Sequence, residues 1–221
     1  MQRTHFPNWG WSYGDIGNYG IQVAPYSKLA AAYPPNSDDD LRVYAQKTDD
    51  TALPGTSITM TRFEHVGGPA ICVYIQAPNH DIVQKCHNTG KGWSDMDQVI
   101  ASNAPFRTSF AVTDFRYNGS SDVNLRLYWA ASNEFWQWCW NTDGFRDKRK
   151  MEGATLAGSQ IAAIAWDGTP DLRVYYQGGN RTDGAGSRSG GMGRGQRRVL
   201  GRRGRWLCLR LRGTCLYEVT V

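Results

Sequence analysis

The sequence predicts an all-β fold, and three observations carry that prediction. Aromatic residues are 12% of the chain, with 9 Trp, 11 Tyr and 7 Phe. Turn formers are abundant, with 25 Gly and 9 Pro in 221 residues. A short alternating pattern recurs as LRVY (41–44), ICVY (71–74), LRLY (125–128) and LRVY (172–175). Aromatic side chains suit a pleated, half-buried surface, and Gly and Pro punctuate strands with turns. No segment longer than one turn carries helical periodicity.

Each element follows in order. Every copy of the pattern has an apolar leader strand before it: KLAAAY (28–33), SITMTRF (57–63), FAVTDF (110–115) and IAAIAW (161–166). Two copies are followed by a third strand, DIVQKCHN (81–88) and EFWQWCWN (134–141). A tight turn and an aromatic come next, in GKGW (90–93) and TDGF (142–145). The second position of the pattern falls at 42, 72, 126 and 173, so successive copies lie 30, 54 and 47 residues apart. A period near 50 with four strands per unit is the signature of a β-propeller blade. One blade cannot bury both its faces, so stability must come from blade-to-blade contacts. Most Trp and Tyr are assigned to that buried role, at roughly 150–250 Å² each.

Charge is unevenly spread. Residues 1–180 hold 15 basic against 18 acidic residues; residues 181–221 hold ten Arg against Asp183 and Glu218. The net charge of +5 and the isoelectric point near 9.0 therefore belong to the tail. The mildly acidic body supplies no electrostatic reason for a nucleic-acid partner. No apolar run approaches the roughly 18–20 residues of a membrane span, and MQRTHFPNWGWSYGD has no apolar signal core. The sequence is therefore read without membrane insertion and with no visible secretory signal, and localisation stays open, a cytoplasmic or non-classically released protein being consistent with that reading.

The five cysteines (Cys72, Cys86, Cys139, Cys208, Cys215) are widely spaced and form no CxxC. They are expected to be free thiols packed as small hydrophobes in a reducing compartment. His5, His65, His80 and His87 are scattered, and none pairs with Cys, Asp or Glu at a metal-ligand spacing. No metal or other cofactor is predicted.

The LR[VL]Y strand, a Gln about 11 residues later in a strand ending in Cys-Trp, and the Gly-aromatic strand after it resemble the fungal fucose-specific lectins of the Aleuria type. So do IQVAPYSKLAAAY (21–33), LRVYAQKTDD (41–50), ALPGTSI (52–58) and the run from FWQWCWN to FRDK (135–148). The resemblance covers about residues 9–179 and implies a six-bladed propeller with sugar sites between adjacent blades. In such a site, Arg and Glu or Gln of one blade hydrogen-bond the sugar, and Trp or Tyr of the next blade stack on its apolar face. A guanidinium offers paired donors, an amide or carboxylate accepts from vicinal hydroxyls, and an aromatic ring matches the hydrophobic patch of a 6-deoxy sugar.

Carried onto this chain, the resemblance implies Arg positions at Arg42, Arg126 and Arg173, with Cys72 in the remaining copy. It implies amide positions at Gln84 and Gln137. Stacking positions are Trp140 and Phe145 in one blade, and His87 and Trp93 in another. Trp11 fits the Gly-Trp strand of a blade whose beginning is absent. The predicted fucose-binding set is thus Arg42, Gln84, Trp93, Arg126, Gln137, Trp140 and Arg173.

Three departures from the family pattern stand out. The ring needs roughly one and a half blades before Trp11. The 30-residue step after Arg42 implies that about 20 residues, including its Glu or Gln partner, are lost after Asp50. The blade pattern stops at LRVYYQGGN (172–180), and residues 181–221 carry ten Arg, no Lys and nine Gly. The expected division is an incomplete propeller lectin domain at 1–180 and an aberrant or disordered Arg/Gly-rich tail at 181–221. A shifted reading frame or a retained intron would produce such a tail.

The predicted function is a non-enzymatic lectin for L-fucose and fucosylated oligosaccharides and glycoproteins. The resemblance also implies a homodimer. Each predicted pocket lacks one part, and a lost charged hydrogen bond costs about 1.5–3 kcal/mol, or tenfold to over a hundredfold in affinity. Binding is therefore expected to be weak or absent. Alternatives are a non-catalytic propeller fragment serving as a protein-interaction surface, and RNA binding through the basic tail. A glycosidase would need two carboxylates across the scissile bond; the site-like positions carry Arg, Gln and Trp instead.

Overall fold

The computed structural model describes residues 2–6, 10–14, 26–32, 42–46, 53–65, 68–88, 90–94, 98–117, 120–142, 146–156, 158–166, 171–178 and 206–212; in 2–14 and 206–212, and at 32, 42, 65 and 152–154, it describes the backbone alone. All regular structure among them is β. Phe145 and the residues after Asp50 that bear on the expected gap lie outside this set.

Five antiparallel sheets follow in chain order. β1 (Gln2–Phe6) pairs with β2 (Gly10–Gly14). β3 (Leu29–Ala32) pairs with β4 (Arg42–Ala45). β5 (Thr59–His65), β6 (Gly68–Gln76) and β7 (Ile82–Asn88) form a meander. Its fourth position is divided between β8 (Gly92–Trp93) and β9 (Gln98–Ala101), both paired with β7. β10 (Phe110–Arg116), β11 (Val123–Ala131), β12 (Glu134–Asn141) and β13 (Arg146–Ala154) make a complete four-stranded blade. β14 (Ile161–Trp166), β15 (Asp171–Gln177) and β16 (Trp206–Arg212) make a three-stranded sheet. The leader strands, pattern strands and third strands all fall where the repeat predicts.

β16 lies inside the stretch read as a patternless tail. Its sequence WLCLRLR alternates, and Leu207, Leu209 and Leu211 stand opposite Tyr176, Val174 and Leu172. The two-residue period of this short run suffices to put it in the third-strand place, although the Arg-rich composition around it hides the pattern.

Pairing registers give the blades a common coordinate. Thr61 is opposite Cys72, Thr113 opposite Arg126 and Ile164 opposite Arg173. Tyr74 is opposite Gln84, and Tyr128 opposite Gln137. The four copies of the pattern are therefore equivalent strands, with Ala32 opposite Arg42 in the first.

Because side chains alternate between faces, each blade contributes one face to each neighbour. Phe63, Cys72, Tyr74 and Ile82 of one blade pack against Phe110, Val112, Leu125, Leu127, Trp129 and Trp138 of the next. The opposite face of that second blade, with Phe115, Tyr128, Phe135 and Met151, packs on Leu172, Val174 and Tyr176. Phe135 is sandwiched between Tyr128 and Tyr176, with centroids 5.8 and 4.8 Å apart. Full burial of each such side chain is worth roughly 1.5–3 kcal/mol. Contacts between blades run β3 to β5, β5 to β10 and β10 to β14, joining the first strands into an arc. Cross-blade hydrogen bonds fix its spacing: Val112 N donates to Thr59 Oγ1 at 3.3 Å and Ile161 N to Ser109 Oγ at 3.0 Å.

The cysteine expectation is corrected. Cys72 and Cys86 form a disulfide, and Cys139 is disulfide-bonded as well. Linear spacing conceals this, because residues 14 apart become direct cross-strand partners only through the β6–β7 register, which brings their Cα atoms to 4.1 Å.

Candidate functional site

Arg126, Gln137, Gln84, Trp140 and Trp93 lie at successive blade interfaces, and Arg173 lies on the face of β15 turned away from the β10–β13 blade. Arg126 and Gln137 share one face of the β10–β13 blade, and this face meets β14 and β15. Arg126 is 2% exposed. Its Nη1 donates to the Leu125 carbonyl (2.7 Å), the Asn141 Oδ1 (3.1 Å) and the Trp140 carbonyl (3.4 Å). Its guanidinium carbon stands 5.1 Å from the centroid of Phe115. Burial lowers its pKa from the usual arginine value, partly opposed by Tyr128 and Tyr117. The guanidinium is anchored by neutral acceptors and a ring face, an arrangement that leaves it charged and oriented.

Gln137 is held by a separate network. Its Nε2 donates to the Tyr128 hydroxyl at 2.9 Å, and its Oε1 accepts from Arg149 Nε at 3.0 Å. Burial pushes the Tyr128 phenol up to about 12, so it stays protonated at neutral pH.

Arg173 repeats the Arg126 geometry. Its guanidinium carbon lies 5.1 Å from the Trp166 ring centroid, and Nη2 reaches Asp171 Oδ2 at 3.5 Å. Its side chain is 41% exposed, so this copy is open where Arg126 is closed. In the third-strand register, Arg210 faces Arg173 and Cys208 faces Tyr175, where the preceding blade has Cys139 and Gln137. The amide partner is thus missing from that slot.

In the β5–β9 blade the arginine slot holds Cys72, bridged to Cys86. Gln84, 7% exposed, donates Nε2 to the Tyr74 hydroxyl at 3.1 Å and to Cys86 Sγ at 3.1 Å. Trp140 comes from the next blade and reaches the same face, 5.8 Å from Phe63. Gln84 and Trp140 therefore belong to one interface, with a disulfide in place of the cation.

Trp93 belongs to the interface before it. It is 41% exposed, with its ring edge-to-face to Tyr44 at 6.0 Å and to His87 at 5.3 Å. Tyr44 shares its strand face with position 42, so Trp93 approaches the Arg42 strand from the neighbouring blade. The side chain of Arg42 itself lies outside the described residues. Gly90 and Gly92, with φ of 81° and 78°, make the turn that returns Trp93 beside His87; a side chain would strain both positions.

Two features differ from the sequence reading. Trp93 is opposite His87, whereas the residue opposite Trp140 is Arg146, so Arg146 holds the slot expected for Phe145. The sequence reading also did not name the rings beneath Arg126 and Arg173, which come from their own blades, Phe115 and Trp166. The signal was present, since every leader strand ends in an aromatic: Tyr33, Phe63, Phe115 and Trp166. Arg149 and the Tyr74 and Tyr128 phenols were also missed; only pairing register connects them to Gln84 and Gln137. Among the described residues, no group of three or more His, Cys, Asp or Glu is placed to hold a metal ion.

Comparison with known proteins agrees with this architecture. The sequence profile of the fungal fucose-specific lectins matches residues 4–52 and 50–187. A fucose-specific lectin of Aspergillus fumigatus is 36% identical over 198 residues, covering 77% of this chain and 62% of its own length. The SapL1 lectin solved with α-methyl fucoside superposes with a TM-score of 0.62 at 24% identity, covering 94% of this chain and 70% of that one. The lectin of Aleuria aurantia, described as a six-bladed β-propeller, superposes with a TM-score of 0.55 at 21% identity, covering 78% and 61%. This chain therefore spans about 62% of the length of the Aspergillus relative, and its antiparallel sheets form part of a propeller without closing it. With blade register, interface chemistry and profile in agreement, the chain belongs to the fungal fucose-specific lectin family.

Proposed function

We propose that this chain is a carbohydrate-binding lectin for L-fucose and fucosylated glycans, with affinity reduced by incomplete sites. The observation that carries the reading is the recurrence of one arrangement: arginine above an aromatic of its own blade, at Arg126 over Phe115 and Arg173 over Trp166. In the first of these, Gln137 stands on the adjoining strand. The set offers donors, an amide and ring faces, the groups that recognise a neutral deoxy sugar.

Weakness follows from the same geometry. Arg126 is closed over, Arg173 faces no amide in its third-strand register, and Gln84 has a disulfide where its arginine would stand. Several weak sites still give strong attachment to multivalent glycoproteins through effective concentration. These groups bind rather than react, so the reading includes no catalysis. The reading includes a homodimer, and a sedimentation mass of one chain would overturn that part.

Calorimetric titration with methyl α-L-fucoside tests the proposal, with methyl α-D-glucoside as control. Saturable binding of the fucoside alone, with a dissociation constant tenfold to a hundredfold weaker than that of a complete relative, is expected. Equal response to both sugars, or none to fucosylated glycoprotein on a surface, would overturn it. Turnover of an aryl fucoside would overturn the non-catalytic part.

A further inference from the structure

Gln84 and Gln137 occupy the same slot in adjacent blades, each opposite a buried tyrosine and each donating Nε2 to its hydroxyl. Their acceptor ends differ. The Gln84 Oε1 is buried and takes no hydrogen bond. Opposite it, β9 presents Gln98. The Gln137 Oε1 accepts from the guanidinium of Arg149, which β13 presents at the equivalent position. At the equivalent fourth-strand position the two blades carry Gln98 and Arg149, and the buried acceptor is open in the first and taken in the second.

We propose that Arg149 is a built-in competitor for the sugar: it occupies the acceptor on Gln137 that a ligand hydroxyl would use, and it holds the Arg126 crevice closed. The inference rests on reading that crevice as a sugar site. A hydrogen bond from a charged donor is stronger than one from a neutral hydroxyl. A sugar reaching Gln137 must therefore give up more than it replaces, unless Arg149 swings aside. The second guanidinium also stands close enough to Arg126 to repel its charge. The chain's own β5–β9 blade supplies the comparison, because glutamine at the equivalent position leaves the acceptor unoccupied.

The test is titration of the full chain with methyl α-L-fucoside in three forms: wild type, Arg149→Gln and Arg149→Met. The first substitution copies Gln98; the second keeps side-chain volume without donors. Both are expected to bind about tenfold tighter, or ~1.4 kcal/mol, and the gain should vanish when Arg126→Met is added. Unchanged or weaker binding would assign Arg149 a supporting role and overturn the inference while leaving the lectin reading intact. A gain that survives Arg126→Met would place the effect at another crevice and also overturn it. Loss of melting temperature with no gain in affinity would mark Arg149 as merely structural. No binding by any of the three would remove the sugar reading, and the role of Arg149 with it.

Discussion

The Tyr128 hydroxyl accepts a hydrogen bond from Gln137 Nε2 at 2.9 Å, and both groups are buried. Tyr74 and Gln84 repeat the pair at 3.1 Å in the neighbouring blade. The amide is thereby turned so that its oxygen is the end left for another donor. Replacing Tyr128 with Phe is expected to destabilise the protein by about 1–2 kcal/mol, since a buried donor loses its acceptor. It should also loosen the orientation of Gln137. Denaturant unfolding measures the first effect, and fucoside titration should register the second as weaker binding.

The buried phenols set an alkaline limit on the fold. Burial pushes Tyr128 to about 12 and raises Tyr74 and Tyr176 as well. In the unfolded chain tyrosine ionises near 10. Above that pH the unfolded state loses protons that the folded state keeps, so stability falls by about 1.4 kcal/mol per pH unit for each such group. Absorbance at 295 nm should show only exposed tyrosines ionising at first. The buried ones should ionise later, together with the loss of near-ultraviolet circular dichroism.

The Cys72–Cys86 bridge closes a short loop between adjacent strands. Such a loop is worth about 3 kcal/mol in the chain-entropy account. Substituting both cysteines with Ser should lower the melting temperature by roughly 6–12 °C for a domain of this size. Reductant should lower the wild type at least as far, because Cys139 is also bridged. A double variant that melts with the oxidised wild type would contradict this.

Trp93 is exposed, so Trp93→Ala should leave stability within about 0.5 kcal/mol. If its ring forms the wall of the Arg42 crevice, the substitution should weaken fucoside binding there by about two- to tenfold, the worth of one aromatic contact. Sugar-induced change in tryptophan emission should shrink in parallel.

Acid should act on Glu134, which Lys150 Nζ reaches at 2.5 Å and Trp136 Nε1 at 3.1 Å. These donors hold its carboxyl below the usual range. Its contribution is therefore present above the ordinary carboxylate pKa and disappears as pH falls through the lowered one. Glu134→Gln should abolish that part of the acid dependence of melting, with little change at neutral pH because the pair is at the surface.

Much of this protein is written in its sequence. Alternation in KLAAAY, SITMTRF, FAVTDF and IAAIAW, and the recurrence of LR[VL]Y, set the strands, their order and the blade repeat, because a two-residue period is a local property of the chain. The equivalence of Arg126 and Arg173 was legible for the same reason, since the repeat puts like residues at like positions; the assignment of Arg126, Gln137 and Arg173 to a sugar came from the resemblance to the fungal fucose lectins. What tertiary structure decided is which of these groups are available. The bridge from Cys72 to Cys86, Arg146 in the slot expected for Phe145 and the guanidinium of Arg149 on Gln137 depend on the register between neighbouring strands, and the exposure of Arg173 against the burial of Arg126 depends on how the blades pack. The local pattern says which face a residue takes, but the partner it meets across the sheet is fixed only when turn geometry and the burial of one face set the register.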